Sequence, residues 1–137
     1  MSNFLTPANF GTAINCMDGR AQEPVLAWMK ERFLLDYVDV LTAPGADGVL
    51  AGGPVGTIEG IRGGVEISVT RHESKVVAIV GHLDCLGNPV CREAHWGHIA
   101  EAVAVVSGWG YPVEVWGLWV DGELRVEVVT SPDVSPG

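Results

Sequence analysis

The chain has 137 residues, room for one domain with a sizeable core, and 47% hydrophobic against 18% charged residues describes a compact protein with sparse surface charge. Seventeen acidic against eight basic side chains leave a net charge of −9, which removes nucleic acid and anionic membrane from the expected partners. No apolar run approaches the roughly 18 residues that span a bilayer, no leader pattern opens the chain, and three cysteines do not form a disulfide framework, so a cytoplasmic protein is expected.

Residues 1–10 read as an irregular arm, 131–137 as a tail, and 1–137 as a single domain. A first short strand at residues 12–16 leads into a helix with Pro24 in its first turn, where a missing N–H costs nothing. Val25, Leu26, Met29 and Phe33 form the buried stripe of that helix. A second strand at 37–41 ends in the loop Ala43-Pro44-Gly45-Ala46-Asp47-Gly48. The second helix, about 57–71, turns Ile58, Ile61, Val65 and Val69 inward. Gly60, Gly63 and Gly64 each weaken it by about 1 kcal/mol, which implies close packing against another backbone. The β-branched run at 75–80 is a third strand, buried on both faces. A third helix covers about 92–107. Strands at 113–120 and 123–129 then flank Asp121-Gly122, a two-residue hairpin signal.

Strand–helix alternation predicts an α/β fold: a mostly parallel sheet of about five strands with helices on both faces and an antiparallel last strand. Right-handed crossovers make 2-1-3-4-5 the natural order. The first and third strands are then neighbours, and the switch point for ligand binding lies between their carboxyl ends.

Cys16 stands at one of those ends and His82 and Cys85 at the other. Two thiolates and an imidazole are three good ligands for Zn²⁺, and three protein ligands leave a position open for water. Two thiolates also weaken the metal as a Lewis acid, so a neighbouring group is needed to handle the proton of that water. Asp18 is close enough in sequence to orient it or to ligate the metal itself, and Arg20 can hold the carboxylate by a bidentate pair. Ligand chemistry and topology select the same place independently.

Cys-x-Asp-x-Arg on a first strand, followed much later by His-x-x-Cys, resembles the β-class carbonic anhydrases. The resemblance covers roughly residues 12–129, including the helix segment Val65-Glu66-Ile67-Ser68-Val69 and the strand segment Gly117-Leu118-Trp119-Val120-Asp121. It implies zinc on Cys16, His82 and Cys85, a catalytic dyad of Asp18 and Arg20, and reversible hydration of CO₂ to bicarbonate by zinc-bound hydroxide. It also implies a homodimer or higher homo-oligomer, which suits the sparse charge. Three departures stand out: the short segment before Cys16, Thr42-Ala43-Pro44-Gly45 in place of the family's Arg-Asn-Ala-Gly, and Leu86, which is placed to crowd the pocket. They open two alternatives, hydrolysis of carbonyl sulfide or carbon disulfide at the same zinc, and a non-catalytic relative with Asp18 locked on the metal.

The remaining polar residues have plainer readings. Asp84 is an acceptor for an imidazole N–H or a solvent-facing carboxylate, and His72 a surface residue compensating a helix end. Cys91, His95 and His98 share a helical face, which reads as an ordinary polar face rather than a second metal site or proton shuttle, because no acidic residue supports it. Trp96, Trp109, Trp116 and Trp119 belong to core or oligomer interface.

Overall fold

The computed structural model describes residues 8–132. Five strands, β1 (Phe10–Asn15), β2 (Tyr37–Thr42), β3 (Val76–His82), β4 (Glu114–Val120) and β5 (Val126–Thr130), form one sheet in the order 2-1-3-4-5. The β1–β2, β1–β3 and β3–β4 pairs are parallel and β4–β5 is antiparallel, as the alternation predicts. Helices α1 (Gln22–Phe33), α2 (Ala46–Gly52), α3 (Val55–Arg71) and α4 (Arg92–Ser107) cover the two faces unequally. Strand residues alternate between faces. Ile14, Val77, Ile79, Val115 and Trp119 meet α2, α3 and α4 on one side. Ala13, Val76, Ala78, Val80, Trp116 and Leu118 pack on the other with Val25 and Met29 of α1, the one α-helix on that side among the described residues. All seven residues of β3 are buried, so its continuous apolar run has the expected cause.

Four local expectations are corrected. The first strand starts at Phe10, inside the segment read as an arm; residues 1–7 and 133–137 of the expected arm and tail lie outside the described residues. Helix α2 occupies part of the expected Ala43–Gly48 loop, with Ala46 and Leu50 buried against the α3 and α4 side chains. The two-residue hairpin is a longer turn, because Asp121 Oδ1 accepts from the N–H groups of Glu123 and Arg125 and β5 does not begin until Val126. Of Gly60, Gly63 and Gly64 only Gly64 is packed: a methyl group there would fall on the Leu41 side chain, whereas Gly60 and Gly63 face open space.

The topology brings the ends of β1 and β3 side by side, with Thr12, Ala13 and Ile14 registered on Val77, Ala78 and Ile79. The chain leaves β1 toward β2 on one side and reaches β3 on the other, so a crevice opens beyond Asn15 and His82.

Candidate metal centre

Cys16 is the first residue past β1 and its loop is tied down by its neighbours. Asn15 Oδ1 accepts the Cys16 N–H at 2.8 Å, while Asn15 Nδ2 donates to the Ala21 carbonyl at 2.9 Å. Gln22 Nε2 donates to the Cys16 carbonyl at 2.6 Å. His82 ends β3, and Cys85 follows in a tight loop where Asp84 has φ of 58°. Cys16, His82 and Cys85 are all buried, and one ligand atom from each lies within 4.8 Å of the others. Neither Asn15 nor Gln22 carries a sequence signal for this work, since both act on backbone groups.

The donor set fits a metal. The two Sγ atoms are 3.8 Å apart and both cysteines are free, so no disulfide joins them. Two sulfurs held at about 2.3 Å by one tetrahedral zinc would lie about 3.8 Å apart. His82 Nδ1 lies 2.9 Å from the Leu83 carbonyl, which can only accept, so Nδ1 carries the proton and the Nε2 lone pair is free. That Nε2 is buried with no hydrogen-bond partner among the described residues, the condition of an unmet ligand atom. Burial, followed by the neighbouring Cys16, pushes the Cys85 thiol up, so without a cation the second thiolate is disfavoured.

Asp18 and Arg20 take the expected pose. Asp18 caps the single 3₁₀ turn Gly19–Ala21 by accepting the Arg20 N–H at 2.9 Å, and the guanidinium closes back on it, with Nη2 at 2.6 Å from Oδ2 and Nε at 3.0 Å from Oδ1. The Arg20 side-chain hydrogen bonds hold the Asp18 carboxyl well below the usual carboxylate range, and the same bonds hold Arg20 above its own. Asp18 is not one of the three clustered ligand residues. Asp84 does not serve the His82 imidazole; its Oδ2 and its carbonyl accept from Arg20 at 3.3 and 3.2 Å, which braces the guanidinium from behind. A cleft of about 220 Å³ beside these residues is lined by Arg20, His82, Leu83, Asp84, Asp121 and Leu124 among others. Leu86 is 87% exposed and is not among the residues lining this cleft.

The remaining candidates separate. Cys91 is exposed at the cap of α4. His95 is buried with its Nδ1 2.6 Å from Asp47 Oδ2 of α2, which corrects the reading of a polar face without an acidic partner. His98 Nδ1 lies 3.0 Å from Asn88 Nδ2. His72 is more than a helix-end charge: Nδ1 sits 2.7 Å from Asp39 Oδ2 and the ring stacks on Phe10. Trp116 and Trp119 are in the core and Trp96 and Trp109 are partly buried, as expected.

A family model described as "Putative carbonic anhydrase" matches residues 6–130. No curated protein matches the chain. Among solved structures, a β-carbonic anhydrase of Trichomonas vaginalis is similar at 16% identity and a TM-score of 0.61, covering 96% of this chain and 88% of that one. A β-carbonic anhydrase of Aspergillus fumigatus is similar at 17% identity and a TM-score of 0.54, covering 95% and 80%. The tetrameric β-carbonic anhydrases of Sordaria macrospora are similar at 15% identity and a TM-score of 0.51, covering 89% and 80%. At these identities the structures establish the shared fold.

Proposed function

The chain belongs to this carbonic anhydrase family, and on that premise we propose that it is a zinc enzyme of the β-carbonic anhydrase type, catalysing the reversible hydration of CO₂ to bicarbonate. The observation that carries the reading is the buried trio of two free thiols and an unpartnered imidazole Nε2 beside an Asp–Arg pair. Cys16 and Cys85 as thiolates and His82 through Nε2 would hold the ion. Zinc bound there would act as a Lewis acid and bring the pKa of a water toward about 7.

The chain's own groups then divide the work. Asn15 and Gln22 fix the Cys16 loop. Asp18, kept ionised by Arg20, would accept a hydrogen bond from such a water and orient it. Arg20 also keeps that carboxylate occupied, so it does not close the metal's open position. Met17, Leu83 and Leu86 each follow a ligand residue and are exposed, and a second copy of the chain covering them is the homo-oligomer we expect; sedimentation showing only monomer at micromolar concentration would remove it.

The deciding test is stopped-flow CO₂ hydration with zinc per chain measured on the same sample, at pH values on both sides of 8. Turnover that rises with pH is the expected result. Zinc-loaded protein with no turnover at any pH would remove the CO₂ assignment. Sulfide release from carbonyl sulfide or carbon disulfide would then identify the sulfur hydrolase, and its absence a non-catalytic zinc protein.

A further inference from the structure

We propose that Asp47, Asn88, His95 and His98 form a buried clamp that positions the Cys85 loop against the Gly45 turn, whose N–H meets Cys16 Sγ, and so fixes the two thiolates for metal binding. The inference rests on the metal reading above but concerns four residues outside the ligand set and the Asp18–Arg20 pair.

The cluster ties three segments together. Asp47 belongs to α2, Asn88 to the loop after Cys85, and His95 and His98 to α4. Asp47 Oδ2 accepts from His95 Nδ1 at 2.6 Å and Oδ1 accepts from Asn88 Nδ2 at 3.1 Å. The same Asn88 amide nitrogen donates its other hydrogen to His98 Nδ1 at 3.0 Å. Asp47 and His95 are each 1% exposed and Asn88 is buried. Withdrawing a carboxylate and an imidazole from water is expensive, and an all-apolar contact between α2 and α4 would hold the fold as well. A buried polar set that persists in such a place imposes one geometry on the segments it joins.

What it joins is the Cys85 loop and the turn at the start of α2. A methyl group at Gly45 would lie 2.6 Å from the Gly87 carbonyl, and one at Gly87 would lie 2.5 Å from the Pro44 carbonyl carbon. A methyl group at Gly48 would meet the Asn88 side chain at 2.8 Å, and one at Gly81, the residue before His82, would meet Asp47 Oδ2 at 2.8 Å. At Gly45 and Gly87 the two segments therefore touch through backbone, with no side chain between them. The same backbones hold the cysteines. Gly45 N–H points at Cys16 Sγ at 3.5 Å, and the Asn88 N–H donates to the Cys85 carbonyl at 3.3 Å. Asn88 thus supports Cys85 through its backbone while its side chain is held by Asp47 and His98. The cluster is not a second metal site: among the described residues the only gathering of ligand atoms is Cys16, His82 and Cys85. Both Asp47 oxygens and both Asn88 amide hydrogens already have partners within it.

The test compares zinc affinity, by competition with a chromophoric chelator, and the cobalt(II) absorption spectrum of the metal-exchanged protein in wild type, Asn88→Ala and Asp47→Asn. Both variants are expected to lose about 10–100-fold in zinc affinity, with a changed thiolate-to-cobalt band, as groups supporting metal ligands do. Folded variants with wild-type zinc affinity and an unchanged cobalt spectrum would overturn the clamp and leave the four residues a purely structural role. Should the inner variants not fold, His98→Ala decides: it removes one Asn88 hydrogen bond from the half-buried outer end, and unchanged affinity and spectrum there overturn the proposal. Wild-type protein that binds no zinc is a separate outcome, which removes the metal reading and this inference with it.

Discussion

Asp18 and Asp47 each approach a basic partner at 2.6 Å, Arg20 in one case and His95 in the other, yet they stand in opposite surroundings. The Arg20 and Asp18 side chains are 54% and 23% exposed, whereas His95 and Asp47 are each 1% exposed. An exposed pair gains little net stability because water and salt screen it and two side chains lose freedom. Its effect is local: it fixes the charge and direction of a carboxylate at the mouth of the metal centre. A buried pair has already surrendered its hydration, so each partner depends on the other. The same distance therefore serves reactivity at the surface and geometry in the core.

Truncation of the buried member should give the largest effect. Asp47→Ala is expected to cost about 3–5 kcal/mol in urea unfolding, the usual consequence of stranding one partner of a buried pair. A loss below about 1 kcal/mol would put the two pairs on the same footing and break the contrast. The double variant Asp47→Ala/His95→Ala sharpens it, because removing both partners should cost less than the sum of the single changes. Asp18→Asn should do the reverse. Its unfolding midpoint should hardly move and its zinc content should stay at wild type, while CO₂ hydration falls about 10²–10⁴-fold, the range for a lost proton-handling group. Near-wild-type turnover in that variant would withdraw the role assigned to Asp18.

The contrast also explains what could be read in advance. Asp18 and Arg20 are two residues apart, directly after a candidate ligand, so local spacing carries their geometry. Asp47 and His95 are 48 residues apart, and only the packing of α2 against α4 brings them together. Helix α2 itself was hidden because Gly45, Gly48, Gly52 and Gly53 make its sequence resemble a loop; burial of Ala46 and Leu50 overrides that weak propensity. The sheet order followed from alternation, since parallel strands need crossovers and the crossovers have one hand. The hairpin departs from the two-residue turn because Asp121 uses its carboxylate on two later N–H groups and widens the turn, an option that Asp-Gly spacing does not reveal. Asn15, Gln22 and Asn88 went unseen because amides bonded to backbone have no characteristic spacing.

A third pair lies between the extremes. His72 and Asp39 are 37% and 27% exposed at 2.7 Å, and Asp39 Oδ2 also accepts from Ser68 Oγ at 2.7 Å. If burial sets the energetic weight of a pair, His72→Ala should cost roughly 1 kcal/mol, in the range of a single hydrogen bond. Urea unfolding beside Asp47→Ala tests the ordering. A cost equal to that of Asp47→Ala would show that burial is not the controlling variable.

The smallest stability effect belongs to Arg20→Gln, and its informative readout is a titration. Arg20 holds the Asp18 carboxyl well below the usual carboxylate range. Because the folded value is depressed, the pair's stabilisation is fully present above the unfolded pKa of about 3.9 and is lost as pH falls through the lowered folded value. Without the guanidinium, the Asp18 pKa should rise toward about 3.9, and the acid side of the stability profile should flatten. Carbon-detected NMR of the Asp18 carboxyl at equal zinc loading reads the shift directly. An unmoved titration would mean that the capping N–H of residue 20, which also donates to Oδ1, keeps the carboxylate ionised without help from the side chain. Arg20 would then act only by occupying the carboxylate, and a neutral donor of the same reach would do as well. A raised titration would instead tie the charge of Asp18 to Arg20 and set the surface pair apart from the buried one in kind as well as in strength.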